Sequence, residues 1–270
     1  MARPSQTSEP PLVRRADHGL VAELVLDRPG ALNAISTAMA RQLTERCEVI
    51  SAEGLRGPAA VALTSSCERA FSAGADLKER ARFGDADMLA QRPVIRAAFE
   101  AVRSLPVPAI AAVAGYALGG GYELALCCDV IVADETAEIA LPEVTVGLVP
   151  GGGGTQLLAR RSGPGTAADL ILSGRRVRAG EALRLRLVDR VVAAGTAVAA
   201  ALELAQLMAA NSPIAVRAAK RALRSTAEHG LATGLEVEDA AWRAAATSED
   251  RVEGISAFVG KKQPAWPSRK

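Results

Sequence analysis

The stretch GYALGGGYELAL, residues 115–126, decides how the chain folds and raises the question of what it does. Three consecutive glycines, residues 119–121, lead into Glu123, whose other neighbours are apolar. A glycine-rich helix start brings unpaired backbone N–H groups close to a ligand oxygen, and the helix dipole favours negative charge there. The stretch therefore predicts a helix that binds an oxygen atom at its first turn, beside a buried carboxylate.

The glycines do not fit the two common phosphate-binding motifs. A Walker loop needs Lys and Ser or Thr directly after its last glycine, and neither glycine run, residues 119–121 or 151–154, meets that requirement. The G-x-G-x-x-G pattern fails at Leu124 and at Gln156. The remaining use is an oxyanion hole, which a second N–H from residues 73–76 would complete. Residues 151–154 alone fit a backbone feature and a ligand contact equally well.

Composition limits the classes of protein that fit. The chain has 270 residues, 49% of them hydrophobic, which is enough for a large core. Its net charge of +2 comes from 32 basic and 30 acidic side chains mixed along the sequence, which argues against nucleic acid as the main ligand. No stretch has the length and apolar composition of a membrane span, so we expect a cytoplasmic protein without a membrane partner.

The cysteines and histidines do not indicate a metal or a nucleophile. Cys47, Cys67, Cys127 and Cys128 lack zinc-site spacing, so we expect buried, reduced thiols. The two histidines of the sequence have no cluster of ligands around them. A catalytic metal and a Ser-His-Asp triad are both poorly supported.

Hydrophobic periodicity divides the chain into three regions. It predicts a polar tail over residues 1–19, a mixed α/β core over residues 20–195 and a helical region over residues 196–270. In the core, Ser36 is a candidate N-cap of an amphipathic helix. Strands are predicted at residues 21–26, 59–64, 107–113, 129–133 and 138–141, and helices near residues 94–102 and from Thr155. In the last region, helices are predicted at residues 198–210, 213–223 and 236–246.

Two segments of the core predict loops. Residues 71–77, FSAGADL, carry little side chain, which is typical of a loop where the backbone approaches a ligand. Residues 78–91 are highly charged, and we expect a mobile lid there that forms part of the substrate pocket.

Three segments in this order and spacing resemble the signature of the crotonase superfamily, the enoyl-CoA hydratases and isomerases. They are FSAGADLKE at residues 71–79, GYALGGGYELA at residues 115–125 and LPEVTVGLVPGGGGTQ at residues 141–156. Flanking segments at residues 27–36 and 248–264 also resemble family members. The resemblance implies an α/β fold, a spiral of ββα units followed by C-terminal helices that assemble trimers or dimers of trimers.

The resemblance also implies roles for individual residues. The oxyanion hole falls on the backbone N–H groups of Ala75 and Gly120, and the two acids of the hydratase motif fall on Glu123 and Glu143. Reversible hydration of a trans-2-enoyl-CoA is therefore favoured, with Glu123 as the base toward water and Glu143 as the acid. Tyr122 stands where a smaller side chain is common in the family, so it either narrows the site or packs behind it.

Coenzyme A enters, by this resemblance, as part of the substrate, and no separate cofactor or metal is expected. Its binding is expected along the backbone of residues 73–77, with Lys78 nearby, and from Phe258 and Lys261 of the C-terminal helix, often supplied by a neighbouring subunit. The individual candidates are Ala73, Ala75, Asp76, Leu77, Lys78, Phe258 and Lys261.

Two other functions compete with hydration. The same oxyanion hole serves double-bond migration in an enoyl-CoA isomerase, which needs an acid/base group but no captured water. The basic segment VRAAKRALR, residues 216–224, suggests an RNA-binding protein on the same fold. No aromatic residue that could stack on a base accompanies that segment, which disfavours RNA.

Overall fold

The computed structural model describes residues 11–226 and 229–270, so the first ten residues of the predicted tail lie outside it. Ten strands and eleven α-helices occur within the described residues. The strands are β1 Val13–His18, β2 Val21–Leu26, β3 Ala60–Ser65, β4 Ala70–Ser72, β5 Ala109–Val113, β6 Tyr116–Leu118, β7 Val130–Asp134, β8 Glu138–Ala140, β9 Val177–Arg178 and β10 Arg190–Val192. The helices are α1 Thr37–Ala52, α2 Leu77–Arg80, α3 Asp85–Arg103, α4 Gly120–Leu126, α5 Gly154–Ser162, α6 Pro164–Ser173, α7 Ala179–Arg184, α8 Ala197–Ala209, α9 Pro213–Ser225, α10 Leu231–Ala246 and α11 Glu249–Val259.

The strands form two sheets. The larger has the order β1-β2-β3-β5-β7-β10, with only β1 antiparallel to its neighbour. The smaller has the order β4-β6-β8-β9, with only β9 antiparallel. Three times along the chain, a strand of the large sheet is followed by a strand of the small sheet and then by helix: β3-β4, β5-β6 and β7-β8. The predicted α/β spiral of ββα units is therefore confirmed.

The large sheet is buried on both faces. Along β3, Val61 and Leu63 pack into the core shared with α1, α3 and α4, while Ala60 and Ala62 pack against α8. Side chains alternate between the faces of a strand, so a strand covered on both sides must be apolar at every position. This is why the central strands are continuous apolar runs in the sequence.

The predicted polar tail contains a strand. β1 pairs with β2 along its whole length, from Val13 opposite Leu26 to His18 opposite Val21. It lies at the edge of the sheet, where polar side chains are accommodated because they face solvent. The sequence pattern missed β1 because only Val13 of this strand is fully buried.

Both predicted loops contain regular structure, but residues 73–76 of the first lie between β4 and α2, outside strands and helices, as predicted. Residues 70–72 form β4, and the predicted lid over residues 78–91 is wrong as a loop, because α2 and the first half of α3 occupy it. Asp76 caps α2 through a hydrogen bond from Glu79 N to Asp76 Oδ1 (3.0 Å). The predicted cap of α1 is confirmed, since Ser36 accepts a hydrogen bond from Met39 N.

After residue 195, the described residues form the four α-helices α8–α11 and no strand, as predicted. Its basic helix α9 faces inward: Lys220 is 6% exposed, pairs with Asp129 (2.6 Å) and donates to Val107 O (2.5 Å). Arg217 also donates to a backbone carbonyl, that of Gly54. Two of the four cations that suggested RNA binding, Arg217 and Lys220, therefore hold α9 against the rest of the chain.

Two features of the described residues bear on other predictions. All four cysteines are free and buried, as predicted. No single helix within residues 11–226 and 229–270 is long and apolar enough to cross a membrane; α8 and α9 pass that test only as a pair, bent by 111°.

Candidate active site

The start of α4 packs directly on the end of β4. Gly119 has a positive φ of 51°, a conformation that glycine adopts without strain, and it turns the chain from β6 into the helix. A Cβ atom at Gly121 would overlap the carbonyl oxygen of Ser72. The three glycines thus let the N-terminus of α4 approach residues 72–75 closely, which places the Gly120 N–H beside that segment.

The N–H groups of Ala75 and Gly120 lie close together. Ile35 N donates to Gly74 O (2.7 Å) and Asp76 N donates to Ile35 O (3.1 Å), a parallel bridge that leaves the Ala75 N–H on the opposite side. A Cβ atom at Gly120 would lie 3.6 Å from Ala75 N. Within the described chain, neither N–H has an acceptor. Both are therefore available to a ligand oxygen.

Glu123 is held by the second glycine run. The carboxylate is 3% exposed, and its Oε1 accepts hydrogen bonds from Gly152 N (2.7 Å) and Gly154 N (2.8 Å). Burial raises the pKa of Glu123 above its ordinary value, and these backbone N–H groups oppose the rise. Residues 151–154, which the sequence left open, therefore act as a backbone feature that positions this acid.

Glu143 has the opposite surroundings. It begins a short 3₁₀ helix, Glu143–Val146, and its Oε2 is buried without a hydrogen-bond partner among the residues described. Burial, together with the charge of Glu123, raises the pKa of Glu143 to about 7. A Cβ atom at Gly119 would lie 2.9 Å from Glu143 Oε1, so the carboxyl group sits next to the start of α4.

The two environments favour different protonation states of the two acids. Hydrogen bonds from backbone N–H groups favour the ionised form of Glu123, whereas Glu143 lacks such donors to its buried oxygen. A proton acceptor and a proton donor can therefore coexist near neutral pH, which is the requirement for general acid/base catalysis.

One cavity of about 290 Å³ contains most of the predicted site residues. Six of them line it: Ala73, Ala75, Leu77, Gly120, Glu123 and Glu143. The other side chains around it are mostly apolar and come from α3 and the segment before α5: Met88, Ile95, Phe99, Val146, Leu148, Val149 and Pro150. The cavity thus joins both N–H groups and both acids to a space that fits an apolar chain.

Four predicted coenzyme A contacts lie elsewhere in this chain. Asp76 is used to cap α2 and pairs with Arg28 (2.6 Å). Lys78 borders a separate surface depression that Arg28 and Asp76 also line. Phe258 is 84% exposed, and neither it nor Lys261 lines the cavity. Within one chain, the structure does not bring these two C-terminal residues to the site.

Sequence reasoning missed three polar residues of the cavity: Arg80, Gln91 and Arg92. All three fall in or next to the predicted lid, which was expected to form part of the substrate pocket without any of its residues being singled out. Tyr122, whose position was left open, packs behind the site, because it is 1% exposed and its hydroxyl donates to Leu187 O (2.9 Å). Among residues 11–226 and 229–270, no group of His, Cys, Asp and Glu side chains is arranged to hold a metal ion.

Fold and cavity together define an α/β spiral protein in which two N–H groups, unpaired among the described residues, lie beside one buried and one partly buried acid. The family model described as "Enoyl-CoA hydratase/isomerase" matches residues 17–269, which is most of the sequence. The chain therefore belongs to the enoyl-CoA hydratase/isomerase family, the crotonase superfamily that its motifs resemble.

Individual relatives agree with this assignment. The chain is 42% identical to the 2,3-dehydroadipyl-CoA hydratase of Escherichia coli, covering 91% of this chain and 94% of that protein. It is 38% identical to an enoyl-CoA isomerase/hydratase of Mycosarcoma maydis, covering 92% and 93%. The crystal structure of the enoyl-CoA hydratase from Bacillus anthracis superposes with a TM-score of 0.92 at 39% identity, covering 95% of this chain and 99% of that one.

Proposed function

We propose that the protein catalyses the reversible addition of water to trans-2-enoyl-CoA thioesters. The observation that carries the proposal is the unequal pair of acids in one cavity: Glu123 accepts two backbone N–H hydrogen bonds, and Glu143 has a buried oxygen with no partner in the described chain. Hydration needs both a proton acceptor and a proton donor, and this pair supports both roles.

In the proposed reaction, the thioester oxygen accepts hydrogen bonds from the N–H groups of Ala75 and Gly120. Glu123 takes a proton from a water molecule as its oxygen bonds to the β-carbon. The electron pair of the double bond moves toward the thioester, and the negative charge on its oxygen is stabilised by the two N–H groups. Glu143 then gives its proton to the α-carbon, and exchange with solvent restores the starting protonation states.

Coenzyme A is part of the substrate in this proposal, and no separate cofactor is needed. Residues 73–77 would contact it through the backbone, with Lys78 near its charged portion. Phe258 and Lys261 would come from a neighbouring subunit of a trimer. The exposure of large apolar side chains on α10 and α11, with Trp242 67% and Val259 76% exposed, supports such an assembly. Light scattering of the purified protein tests it, and a monomer would contradict it.

The central experiment follows the absorbance of the conjugated thioester in crotonyl-CoA, which falls as water is added. We expect Glu123→Gln and Glu143→Gln each to lower kcat at least about a hundredfold, since general acid/base groups typically contribute that much. Circular dichroism spectra matching the unchanged protein would establish that both variants fold. Retention of near-normal hydration by either variant would contradict the proposed roles.

Double-bond migration is the second candidate, and the name of the Mycosarcoma maydis relative, an isomerase/hydratase, favours testing it. A single acid/base group beside the oxyanion hole is sufficient for this reaction. With a 3-enoyl-CoA substrate, isomerisation raises the absorbance of the conjugated thioester instead of lowering it. A rise without a later fall would identify an isomerase that does not hydrate its product.

A further inference from the structure

Arg80 is a partly buried cation that lines the cavity without an ion-pair partner. In the described part of the chain, no carboxylate oxygen lies within 4.0 Å of its guanidinium group. Its Nε donates to Gln91 Oε1 (3.0 Å), and no hydrogen bond within those residues engages its Nη atoms. A partly buried charge gains from pairing with an anion, and the described residues supply no such partner to Arg80.

A buried network fixes the orientation of Arg80. Gln91 is 5% exposed, and its Nε2 donates to Thr37 Oγ1 (2.8 Å) and to Glu79 Oε2 (3.0 Å). Glu79, the acid next to Arg80 in sequence, also accepts from Thr37 N (3.0 Å). The Glu79 carboxylate is thereby directed at Thr37 and Gln91, while the Gln91 oxygen accepts a hydrogen bond from Arg80 Nε. The guanidinium is pre-positioned, which reduces the entropy lost when a ligand binds.

The charges around the cavity leave a positive excess. Arg80 and Arg92 both line it, and its acids are Glu123 and Glu143. Since the Glu143 carboxyl group has a pKa of about 7, it is only partly ionised near neutral pH, so the two acids do not fully offset the two guanidinium groups. The Arg92 guanidinium is also engaged by the carbonyl oxygen of Gly151. Arg80 is thus the cation that an added anion would meet.

The side chains that line the cavity around Arg80 indicate which part of a substrate would carry that anion. Met88, Ile95 and Phe99 line the same cavity and provide no charge of their own. A purely hydrocarbon acyl chain would bury the Nη atoms of Arg80 against apolar atoms with no acceptor. A carboxylate on the acyl chain would instead form a charge-assisted, bidentate pair with the guanidinium.

We propose that Arg80 selects a short dicarboxylic enoyl-CoA, by binding the carboxylate at the end of the acyl group farthest from the thioester. The acyl group must be short, because Arg80 lines the same cavity of about 290 Å³ as Glu123 and Glu143, which leaves room for only a few carbons between the guanidinium group and the reacting carbons. This inference rests on the proposed function for the reaction itself, but its binding component is measurable without turnover.

Binding of unreactive analogues gives the first test. Calorimetry would compare glutaryl-CoA with butyryl-CoA, which differ by a terminal carboxylate and lack the double bond. We expect the unchanged protein to bind glutaryl-CoA at least about tenfold more tightly, the size of one charge-assisted contact. Arg80→Met should remove the preference, and Arg96→Met, at an exposed position of α3 outside the cavity, should retain it. Equal affinity of the unchanged protein for both analogues would overturn the inference.

Kinetics give the second test and separate the two proposals. With trans-glutaconyl-CoA and crotonyl-CoA as substrates, Arg80→Met should lower kcat/KM at least about tenfold for the first and by less than about threefold for the second. Equal losses on both substrates would overturn the selective role of Arg80. If the unchanged protein hydrates neither thioester yet still prefers glutaryl-CoA in calorimetry, the proposed reaction fails and the carboxylate site stands.

Discussion

Glu123 and Glu143 are the same residue type in the same cavity, so any difference in their acid/base behaviour comes from their surroundings. Two backbone N–H groups donate to Glu123, whereas burial dominates at Glu143, whose Oε2 has no hydrogen-bond partner among the described residues. Because Glu143 has the pKa of about 7, its protonation state changes within the range in which enzymes are normally assayed. Two predictions follow from this residue.

The first concerns activity. If Glu143 donates the proton to the α-carbon, kcat/KM for crotonyl-CoA hydration should fall as pH rises through about 7, because the donor is lost. A pH profile of the initial rate measures this. Glu143→Gln should leave a much lower rate that lacks this alkaline decline. A rate that stays constant from neutral to alkaline pH would contradict the donor role.

The second concerns stability. The folded state holds the Glu143 proton more tightly than the unfolded state, so the free energy of unfolding should fall as pH rises from about 4.5 to about 7. Glu143→Gln removes this group, so its stability relative to the unchanged protein should increase over that interval by on the order of 1 kcal/mol. Urea unfolding at several pH values measures the difference, and a parallel pair of curves would contradict it.

At this scale the sequence predicted part of the site and missed part. Ala75, Gly120, Glu123 and Glu143 were predicted from motif positions, and the cavity contains all four. Arg80 was missed because a charged side chain in a polar segment is usually solvated. Only the packing of α3 against the core encloses it, and no local pattern encodes that packing.

At the scale of elements, the loop before α5 and the start of α4 hold the site through backbone atoms. A Cβ atom at Gly154 would lie 2.9 Å from Glu123 Oε1 and 3.0 Å from side chains of Leu141 and Pro150. We expect Gly154→Ala to displace the loop, to lower kcat/KM for hydration at least about tenfold, and to cost about 1–3 kcal/mol of stability.

Gly165→Ala is the matched control for that substitution. Gly165 lies in α6, and a Cβ atom there would have no atom within 4 Å among those that could obstruct it. Alanine favours helix, so this variant should be neutral or slightly more stable, by up to about 1 kcal/mol. Equal effects of both substitutions in thermal unfolding and in the hydration assay would contradict the close-contact argument.

The elements that could be predicted are those with a strong local signal. β2 and the Ser36 cap follow from alternation and from residue chemistry, and the structure reproduces both. The helices over residues 78–91 could not be predicted in this way, because their apolar side chains line a cavity instead of a continuous core. β1 was missed because pairing with β2, and not its own composition, makes it a strand.

At the scale of the whole molecule, an ion pair and a hydrogen bond of the buried Lys220 hold α9 against the large sheet. Lys220 pairs with Asp129, which also accepts from Ala109 N (2.7 Å) at the start of β5. Lys220→Met should lower the free energy of unfolding by about 1–3 kcal/mol, because Val107 O would lose its charged hydrogen-bond donor. Arg221→Met, at an exposed position of the same helix, should change it by less than about 0.5 kcal/mol.

Urea unfolding of both variants measures that contrast, and equal small effects would contradict a structural role for Lys220. An RNA-binding titration at low ionic strength adds a second readout. Because Lys220 is buried and Arg217 bonds to Gly54 O, we expect no salt-dependent RNA binding by the unchanged protein.

The division between core and helical region was predicted from the change in pattern near residue 195, but which helix faces turn inward depended on contacts distant in sequence.

Glu143 Oε2 has no hydrogen-bond partner among residues 11–226 and 229–270, and this gives the acid a vibrational signature. A protonated carboxyl group whose carbonyl oxygen accepts no hydrogen bond absorbs infrared light at a higher frequency than a solvated one, away from the amide bands. Difference spectra between acidic and alkaline buffer should therefore show one such band, absent from Glu143→Gln, and its shift on ligand binding would show when a water molecule or a substrate reaches that oxygen.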